Sequence, residues 1–114
     1  MIRPKKRYLL FFVVSKETHS SHKVVSEILK ITKLFFGEIV SSKMNLRLIH
    51  FDEASQTGII RVLNKYSEQL RASLVLINDI NSIETFFYTK RMSGSLKKLN
   101  KGIYARSTNE EKPT

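Results

Sequence analysis

A short basic segment, Lys90 to Gly102 with the sequence KRMSGSLKKLNKG, holds the side chains with the clearest chemical potential. Five of its thirteen residues are cationic and none is acidic. Cationic groups neutralise phosphates, serine hydroxyls donate hydrogen bonds to phosphate oxygens, and a glycine lets backbone approach closely. The segment predicts contact with a nucleic-acid backbone, and the alternative is a solvated tail whose lysines protect an edge strand. The residues assigned to phosphate contact are Lys90, Arg91, Ser93, Gly94, Ser95, Lys97, Lys98 and Lys101.

No catalytic or metal-binding constellation emerges from the other side chains. The chain has no cysteine, which excludes disulfides, thiolate metal sites and cysteine nucleophiles. His19 and His22 lie three residues apart at a helix start without a further ligand, which favours a capping region over a metal pair. His50, Asp52 and Glu53 fall at a turn, where such residues serve turn chemistry. We expect no protein-borne active site and no metal or cofactor bound by the protein.

The charge balance of the whole chain agrees with an anionic partner. Twenty Lys and Arg residues against ten Asp and Glu residues give a net charge of +10 and a pI near 10.0. Such an excess raises affinity for phosphate backbones or anionic lipid, because each neutralised phosphate releases condensed counterions. Nucleic acid, mainly RNA, is the favoured partner, and a membrane surface or an acidic protein is the alternative.

Length and composition predict one globular domain over residues 1–106, followed by a disordered tail over residues 107–114. The chain has 114 residues, of which 41% are hydrophobic, enough for a packed core. Its basic start followed by an apolar run from Tyr8 to Val14 imitates a signal peptide. The run lacks a small-residue cleavage site, and its β-branched and aromatic residues favour a buried strand. No stretch reaches the roughly twenty apolar residues of a membrane span, and we expect a cytoplasmic protein.

Hydrophobic periodicity predicts four strands and two helices. The order is strand, helix, strand, strand, helix, strand, which is the split βαβ pattern of ferredoxin-like and RNA-recognition folds. The predicted fold class is therefore α+β, a two-layer sandwich of two helices on an antiparallel sheet, with a basic C-terminal extension. The predicted strands are Arg7–Val14, Met44–Phe51, Thr57–Asn64 and Ser82–Lys90. The predicted helices are His22–Phe36, capped by Ser20 or Ser21 and ended by Gly37, a second helix capped by Asn64 or Ser67 and running to about Ile77, and a further short helix over Ser95–Asn100.

The first strand is apolar on both sides, which conflicts with a sheet that leaves one face open to water. A group of apolar side chains of this size, if left exposed, usually marks an interface. Either another protein or the chain's own C-terminal segment would have to cover this apolar face. In the third strand, TGIIRVLN has aliphatic residues where RNA-recognition domains place base-stacking rings, so that platform is absent. The C-terminal side chains available for the cover are Leu96, Leu99, Ile103 and Tyr104.

A ferredoxin-like strand order would place the first and fourth strands side by side. The basic segment would then lie beside a second cationic cluster in the N-terminal arm, and the two would form one rim at one edge of the sheet. Arg61 and Arg71 lie outside this rim, and each could reach RNA or a carboxylate of a partner. The cations of the arm are Arg3, Lys5, Lys6 and Arg7.

Several stretches together resemble one known family. They are KRYLLFFV in the first strand, LFFGE at the helix end, TGIIRV in the third strand, LRASLVLIND in the second helix and MSGSLKK in the basic segment. They resemble the family of archaeal ribonuclease P protein component two, whose eukaryotic relatives serve ribonuclease P and ribonuclease MRP. The resemblance covers Arg7 to Lys98, and GIIRV and SGSLKK are its most specific pieces. Where the family more often has Thr after Ser-Gly, this chain has Ser95, which keeps the hydroxyl.

The resemblance implies an RNA-recognition-like fold without the usual base-stacking aromatics. It implies a non-catalytic subunit of ribonuclease P that supports the catalytic RNA in removing the 5′ leader of precursor tRNA. The implied partners are the ribonuclease P RNA, precursor tRNA, a barrel-shaped protein subunit and other holoenzyme proteins, with Mg²⁺ held by RNA. Leu9 and Phe11 would belong to the core or to a subunit interface. The residues that it assigns to RNA are Arg7, Arg91, Ser93, Gly94, Ser95, Lys97 and Lys98.

Two other functions are compatible with the same pattern. A stand-alone RNA-binding domain of the recognition-motif class would bind single-stranded RNA tightly by itself, although the missing rings in TGIIRV argue against it. A ferredoxin-like metabolite-binding regulatory domain would form a homodimer through its sheet, but this function leaves the net charge unexplained.

Overall fold

The computed structural model describes residues 5–96. The predicted alternation of strands and helices is present, with one additional short strand before the last. A single 3₁₀ turn, Asn64–Tyr66, leads into the second helix. The elements in chain order are β1 Lys6–Ser15, α1 Ser21–Lys43, β2 Arg47–Asp52, β3 Thr57–Leu63, α2 Ser67–Leu76, β4 Asp79–Ile80 and β5 Ile83–Ser93.

The strands form one antiparallel sheet in the order β2-β3-β1-β5-β4. β1 lies in the middle of the sheet, which suits a strand that is apolar on both sides. It pairs with β3 on one side and with β5 on the other, so the predicted adjacency of the first and last long strands is confirmed. An antiparallel five-stranded sheet with two helices is consistent with a ferredoxin-like fold.

The main core lies between the sheet and the two helices. The buried ring of Phe11 stacks between Phe51 and Phe87, with centroid distances of 6.2 and 5.8 Å. Gly58 lies opposite Phe11, and a Cβ atom there would come within 2.7 Å of the Phe51 ring and 2.8 Å of the Phe11 ring. Only a glycine leaves room for both rings. The residues that join Phe11 in this cluster include Leu9, Val13, Val24, Ile28, Leu70 and Leu74.

A smaller cluster covers part of the opposite side of the sheet, which we call the outer face. On β1 this face carries Tyr8, Leu10, Phe12 and Val14, since strand side chains alternate. Leu10 and Ile59 are buried there, and Tyr8, Ile49 and Leu96 pack against them. Because Leu96 follows β5, the chain's own C-terminal segment supplies part of the cover, which is one of the two covers predicted.

The first helix is longer than predicted. The sequence places its end at Gly37, but helical structure resumes after a kink at this residue and continues to Lys43. With φ of 84° and ψ of 164°, Gly37 occupies a region almost exclusive to glycine, and it interrupts the helix without ending it. The buried hydroxyls of Thr32 and Ser41 lie 3.0 Å apart and join the two parts. Phe35 continues the three- and four-residue spacing of Val24, Ile28 and Ile31, a spacing that predicts burial, but it is 52% exposed; the buried positions at this end belong to Thr32 and Ser41.

The flanks of α1 show one correct prediction and one wrong one. Ser20 caps the helix, and its hydroxyl accepts a hydrogen bond from the Lys23 N–H at 3.3 Å. The following strand begins at Arg47 rather than at Met44. Met44 is fully buried at the end of α1, and Asn45 turns the chain with a positive φ of 53°.

The short strand β4 was not predicted, and it makes the sheet five-stranded rather than four-stranded. It pairs with the start of β5 across the two-residue turn Asn81–Ser82, whose φ values of 54° and 67° suit a type I′ hairpin. Asn and Ser are weaker signals for this turn than Asn-Gly. β5 also continues three residues past the predicted Lys90, to Ser93.

Candidate nucleic-acid interface

The sheet brings the start of β1 beside the end of β5. Tyr8 pairs with Ser93, and Arg91 lies two residues earlier on the same strand. Arg7 is next to Tyr8 on β1, so its side chain leaves the strand on the helix side of the sheet. Its Nε donates a hydrogen bond of 2.8 Å to the Asn64 Oδ1. Arg7, anchored by Asn64, and Arg91, on the outer face, therefore lie near the same end of the β1–β5 ladder. The convergence of the full N-terminal and C-terminal clusters stays a prediction, because several of their cations lie outside residues 5–96.

A β-bulge at Lys90 decides the direction of two consecutive cations. The register against β1 passes from Arg91 to Thr89, so Lys90 is the extra residue on β5. The Lys90 Nζ lies 5.3 Å from the centroid of the Phe12 ring, and Arg91 lies opposite Leu10. Both contacts are on the outer face. In a regular strand neighbouring side chains point to opposite faces, so the bulge is the reason that both Lys90 and Arg91, and not only one of them, lie on the outer face.

The serine and glycine residues after β5 form a tight turn. The Ser93 Oγ accepts a hydrogen bond of 3.0 Å from the Ser95 N–H, which leaves the Ser93 O–H available as a donor. Gly94 has open space where a Cβ would stand, so the backbone here is accessible to a large ligand. The turn directs Leu96 back onto the outer face.

The remaining predicted residues of the basic segment, Lys97, Lys98 and Lys101, lie outside the described residues. The same holds for the predicted cover residues Leu99, Ile103 and Tyr104, for Arg3, for the short helix predicted over Ser95–Asn100 beyond Leu96, and for the tail over 107–114.

Sequence reasoning missed an apolar area at the other end of the outer face. Phe86 is 42% exposed and Tyr88 is 54% exposed, and on β1 they lie opposite Val14, which is 50% exposed, and Phe12. Their alternation was visible in SIETFFYT, which predicted both rings on one side of the strand. What the pattern did not show is that no layer of residues 5–96 covers that side. On β3 the outer face carries Ile59, which is fully buried.

His19 and Arg71, which the sequence raised as candidates for metal or RNA binding, contact other side chains of the protein. His19 is buried, and its ring Nε2 lies 3.1 Å from the Ser15 Oγ. Its backbone N–H donates a hydrogen bond of 2.9 Å to the Gln56 Oε1. Arg71 forms an exposed pair with Glu68 at 3.9 Å on α2. Within residues 5–96 no three potential ligands are grouped in a way that would hold a metal ion. No helix in that same range is long and apolar enough to span a bilayer.

Comparison with known proteins identifies the family. The model of the Rpp14/Pop5 family matches residues 7–104. The chain belongs to the Rpp14/Pop5 family. Among its relatives, ribonuclease P protein component 2 of Thermococcus gammatolerans is 35% identical over 104 residues, covering 91% of this chain and 87% of the relative. The protein of the same name from Thermococcus kodakarensis is 32% identical with the same coverage.

A solved structure supports the fold. A chain in the cryo-EM structure of yeast ribonuclease MRP matches with a TM-score of 0.69 over 96% of each chain at 12% identity. This Rpp14/Pop5 member thus shares its fold with a chain of a ribonuclease MRP structure, and its archaeal relatives carry a ribonuclease P name. The resemblance seen in the sequence is confirmed, and the family is one of ribonuclease P and MRP protein subunits.

Proposed function

We propose that this chain is a non-catalytic protein subunit of an archaeal ribonuclease P, in which the catalytic RNA removes the 5′ leader of precursor tRNA. The observation that carries the proposal is the bulge that turns Lys90 and Arg91 onto one face, in a chain whose relatives are named for this enzyme. Family membership favours this function over a stand-alone RNA-binding domain or a metabolite-binding dimer. We assign the fold to the RNA-recognition-like group with a basic C-terminal extension, and the location to the cytoplasm.

The role of the protein in this proposal is electrostatic. Folding a catalytic RNA brings phosphates together, and Mg²⁺ bound by the RNA offsets their repulsion. Cationic side chains held on a rigid sheet reduce the same repulsion between phosphates, and they stay in place because they are part of the protein. The protein then lowers the Mg²⁺ concentration that the RNA needs, and the cleavage chemistry stays with the RNA. The residues proposed to face RNA are Arg7, Lys90, Arg91, Ser93, Gly94, Ser95, Lys97, Lys98 and Lys101.

Reconstitution tests this function. We expect that adding the protein with its barrel-shaped partner to an archaeal ribonuclease P RNA will allow cleavage of precursor tRNA at Mg²⁺ concentrations where the RNA alone is inactive. The measurement is the rate of 5′ leader release across a Mg²⁺ titration. An identical Mg²⁺ dependence with and without the two proteins would contradict the proposal.

A different surface suits the protein partner. Leu34 and Ile39 on α1 are each 73% exposed, and Val75 and Leu76 on α2 are 70% and 47% exposed. Leu34 and Leu76 line the same groove between the two helices. Exposed apolar side chains that line one groove, as Leu34 and Leu76 do, mark protein interfaces rather than phosphate contacts. We assign this helical surface to the barrel-shaped subunit, and it lies on the helix side of the sheet, away from the outer face.

Substitution of two of these side chains separates the two surfaces. We expect Leu34→Ser with Ile39→Ser to weaken association with the barrel-shaped subunit by about 10²-fold, since buried apolar anchors carry much of an interface's binding energy. RNA affinity should stay within about twofold of wild type, because no charge changes. Calorimetry with the partner and filter binding with RNA measure the two effects. Val14→Ser, on the outer face, is the matched control, and weakened partner association in the control alone would refute the assignment.

A further inference from the structure

One row of side chains crosses the outer face through four strands. Arg47 on β2 lies opposite Arg61 on β3, Arg61 lies opposite Tyr8 on β1, and Tyr8 lies opposite Ser93 on β5. Directly paired residues of antiparallel strands share a face. The neighbours of Arg61 along β3, Ile60 and Val62, are fully buried in the core on the helix side, which confirms that Arg61 is on the outer face.

In the described part of the chain, the two arginines of this row have no counter-charge. Like charges directly opposite each other, with Cβ atoms about 5 Å apart, destabilise a sheet. Within residues 5–96 the ion pair found is Arg71 with Glu68, remote from this row on α2. The nearest strand carboxylate, Asp52, lies at the far end of β2 and accepts hydrogen bonds from Ala54 and Ser55 in its own turn. Nothing in this part of the chain therefore offsets the repulsion.

The Nε atom of Arg61 is buried and has no hydrogen-bond partner among residues 5–96. A buried donor without an acceptor is unfavourable, and such a group in a native protein requires an explanation, one of which is an ion or ligand that supplies the acceptor. The unpaired donor and the paired like charges both indicate that this row lacks a negatively charged acceptor within residues 5–96.

We propose that Arg47 and Arg61 form an anion site on the outer face that takes a phosphate of the RNA backbone. The guanidinium fork matches phosphate oxygens with two parallel N–H donors, which a lysine cannot reproduce. A phosphate is favoured over a partner's carboxylate because the row continues into two hydroxyls that can donate to further phosphate oxygens, those of Tyr8 and Ser93, and ends beside Arg91. This inference rests on the proposed function and extends its contact from the rim to β2 and β3.

The test uses one substitution with two opposite expected effects. Arg61→Met keeps the length of the side chain but removes its charge and its unpaired Nε. The free full-length protein should become more stable, with Tm higher by about 4 °C. Affinity for an archaeal ribonuclease P RNA should fall about tenfold, and Arg61→Lys should not restore it. Arg47→Gln should reduce the slope of log affinity against log salt by about one unit.

Arg71→Met is the matched control, because it removes the same charge from an exposed helix position. It should leave Tm and RNA affinity close to wild type. If Arg61→Met lowers Tm and leaves RNA affinity unchanged, Arg61 has a structural role and the inference is wrong. If it leaves RNA affinity unchanged and weakens association with the protein subunit, the acceptor is a carboxylate and the inference is also wrong.

A third variant keeps failure of this inference distinct from failure of the proposed function. Lys90→Gln with Arg91→Gln tests the rim alone. If that variant loses RNA affinity and Arg61→Met does not, the rim binds RNA and the site on β2 and β3 does not exist. If both variants bind RNA as tightly as wild type, the proposed function fails together with the inference.

Discussion

Replacing Lys90, Arg91, Lys97 and Lys98 together by glutamine is expected to weaken binding to ribonuclease P RNA by about 10²–10³-fold at ~0.15 M salt. Each cation that neutralises a phosphate contributes about 0.7–0.9 to the slope of log affinity against log salt, so four contribute about 3.6 units at most. The double replacement of Lys97 and Lys98 alone should flatten the slope by about two units at most. Filter binding over a range of salt concentrations measures both quantities.

The control removes the same total charge from another part of the surface. Lys23, Lys30, Lys33 and Arg71 are exposed on the two helices, away from the outer face. Their joint replacement by glutamine changes the net charge equally, and it should alter RNA affinity by less than about tenfold. If the two quadruple variants lose the same affinity, the RNA responds to net charge only, and the assigned surface is wrong.

Phe11→Ala is expected to lower the free energy of unfolding by about 3–5 kcal/mol. The ring is fully buried and stacks against Phe51 and Phe87 at the centre of the sheet, so its removal leaves a cavity that two other rings border. Because small domains have a total stability of about 5–15 kcal/mol, the variant should lose a large share of it. Urea unfolding followed by circular dichroism gives the change directly.

Phe35→Ala provides the comparison within the same residue type. Its ring is 52% exposed on α1, so its removal should change the unfolding free energy by no more than about 0.5 kcal/mol. A loss below about 1 kcal/mol for Phe11→Ala, or equal losses in the two variants, would mean that the stacked rings are not the centre of the core.

Residue patterns predicted the order of the long elements and the two-layer arrangement. The reason is that burial acts locally on each segment: β1 is apolar on both sides and must be central, and the spacing of Leu70, Leu74 and Ile77 marks the buried side of α2. The same reasoning failed where a local signal had two structural outcomes. Gly37 can end a helix or kink it, and the contact between Thr32 and Ser41, nine residues apart, accompanies the kink.

The candidate site divides in the same way. The cations and hydroxyls of the basic segment were evident from composition, because a run with five cations and no acidic residue indicates contact with an anionic partner. The bulge at Lys90 was not evident, since it depends on how β5 aligns with β1, a strand some eighty residues earlier in the chain. Arg47 was not singled out, and Arg61 was noted without a role, because neither has a distinctive neighbour in sequence.

By itself, the sequence determined the charge of this protein, its family resemblance, its strand and helix order, and which residues are apolar enough to fill the core. Only the tertiary structure decided which side chains share the outer face: Arg47 with Arg61, Tyr8 with Ser93, and Lys90 with Phe12. The physical reason is that strand register is set by hydrogen bonding and packing between distant segments. A shift of one residue would turn every side chain of a strand to the other face.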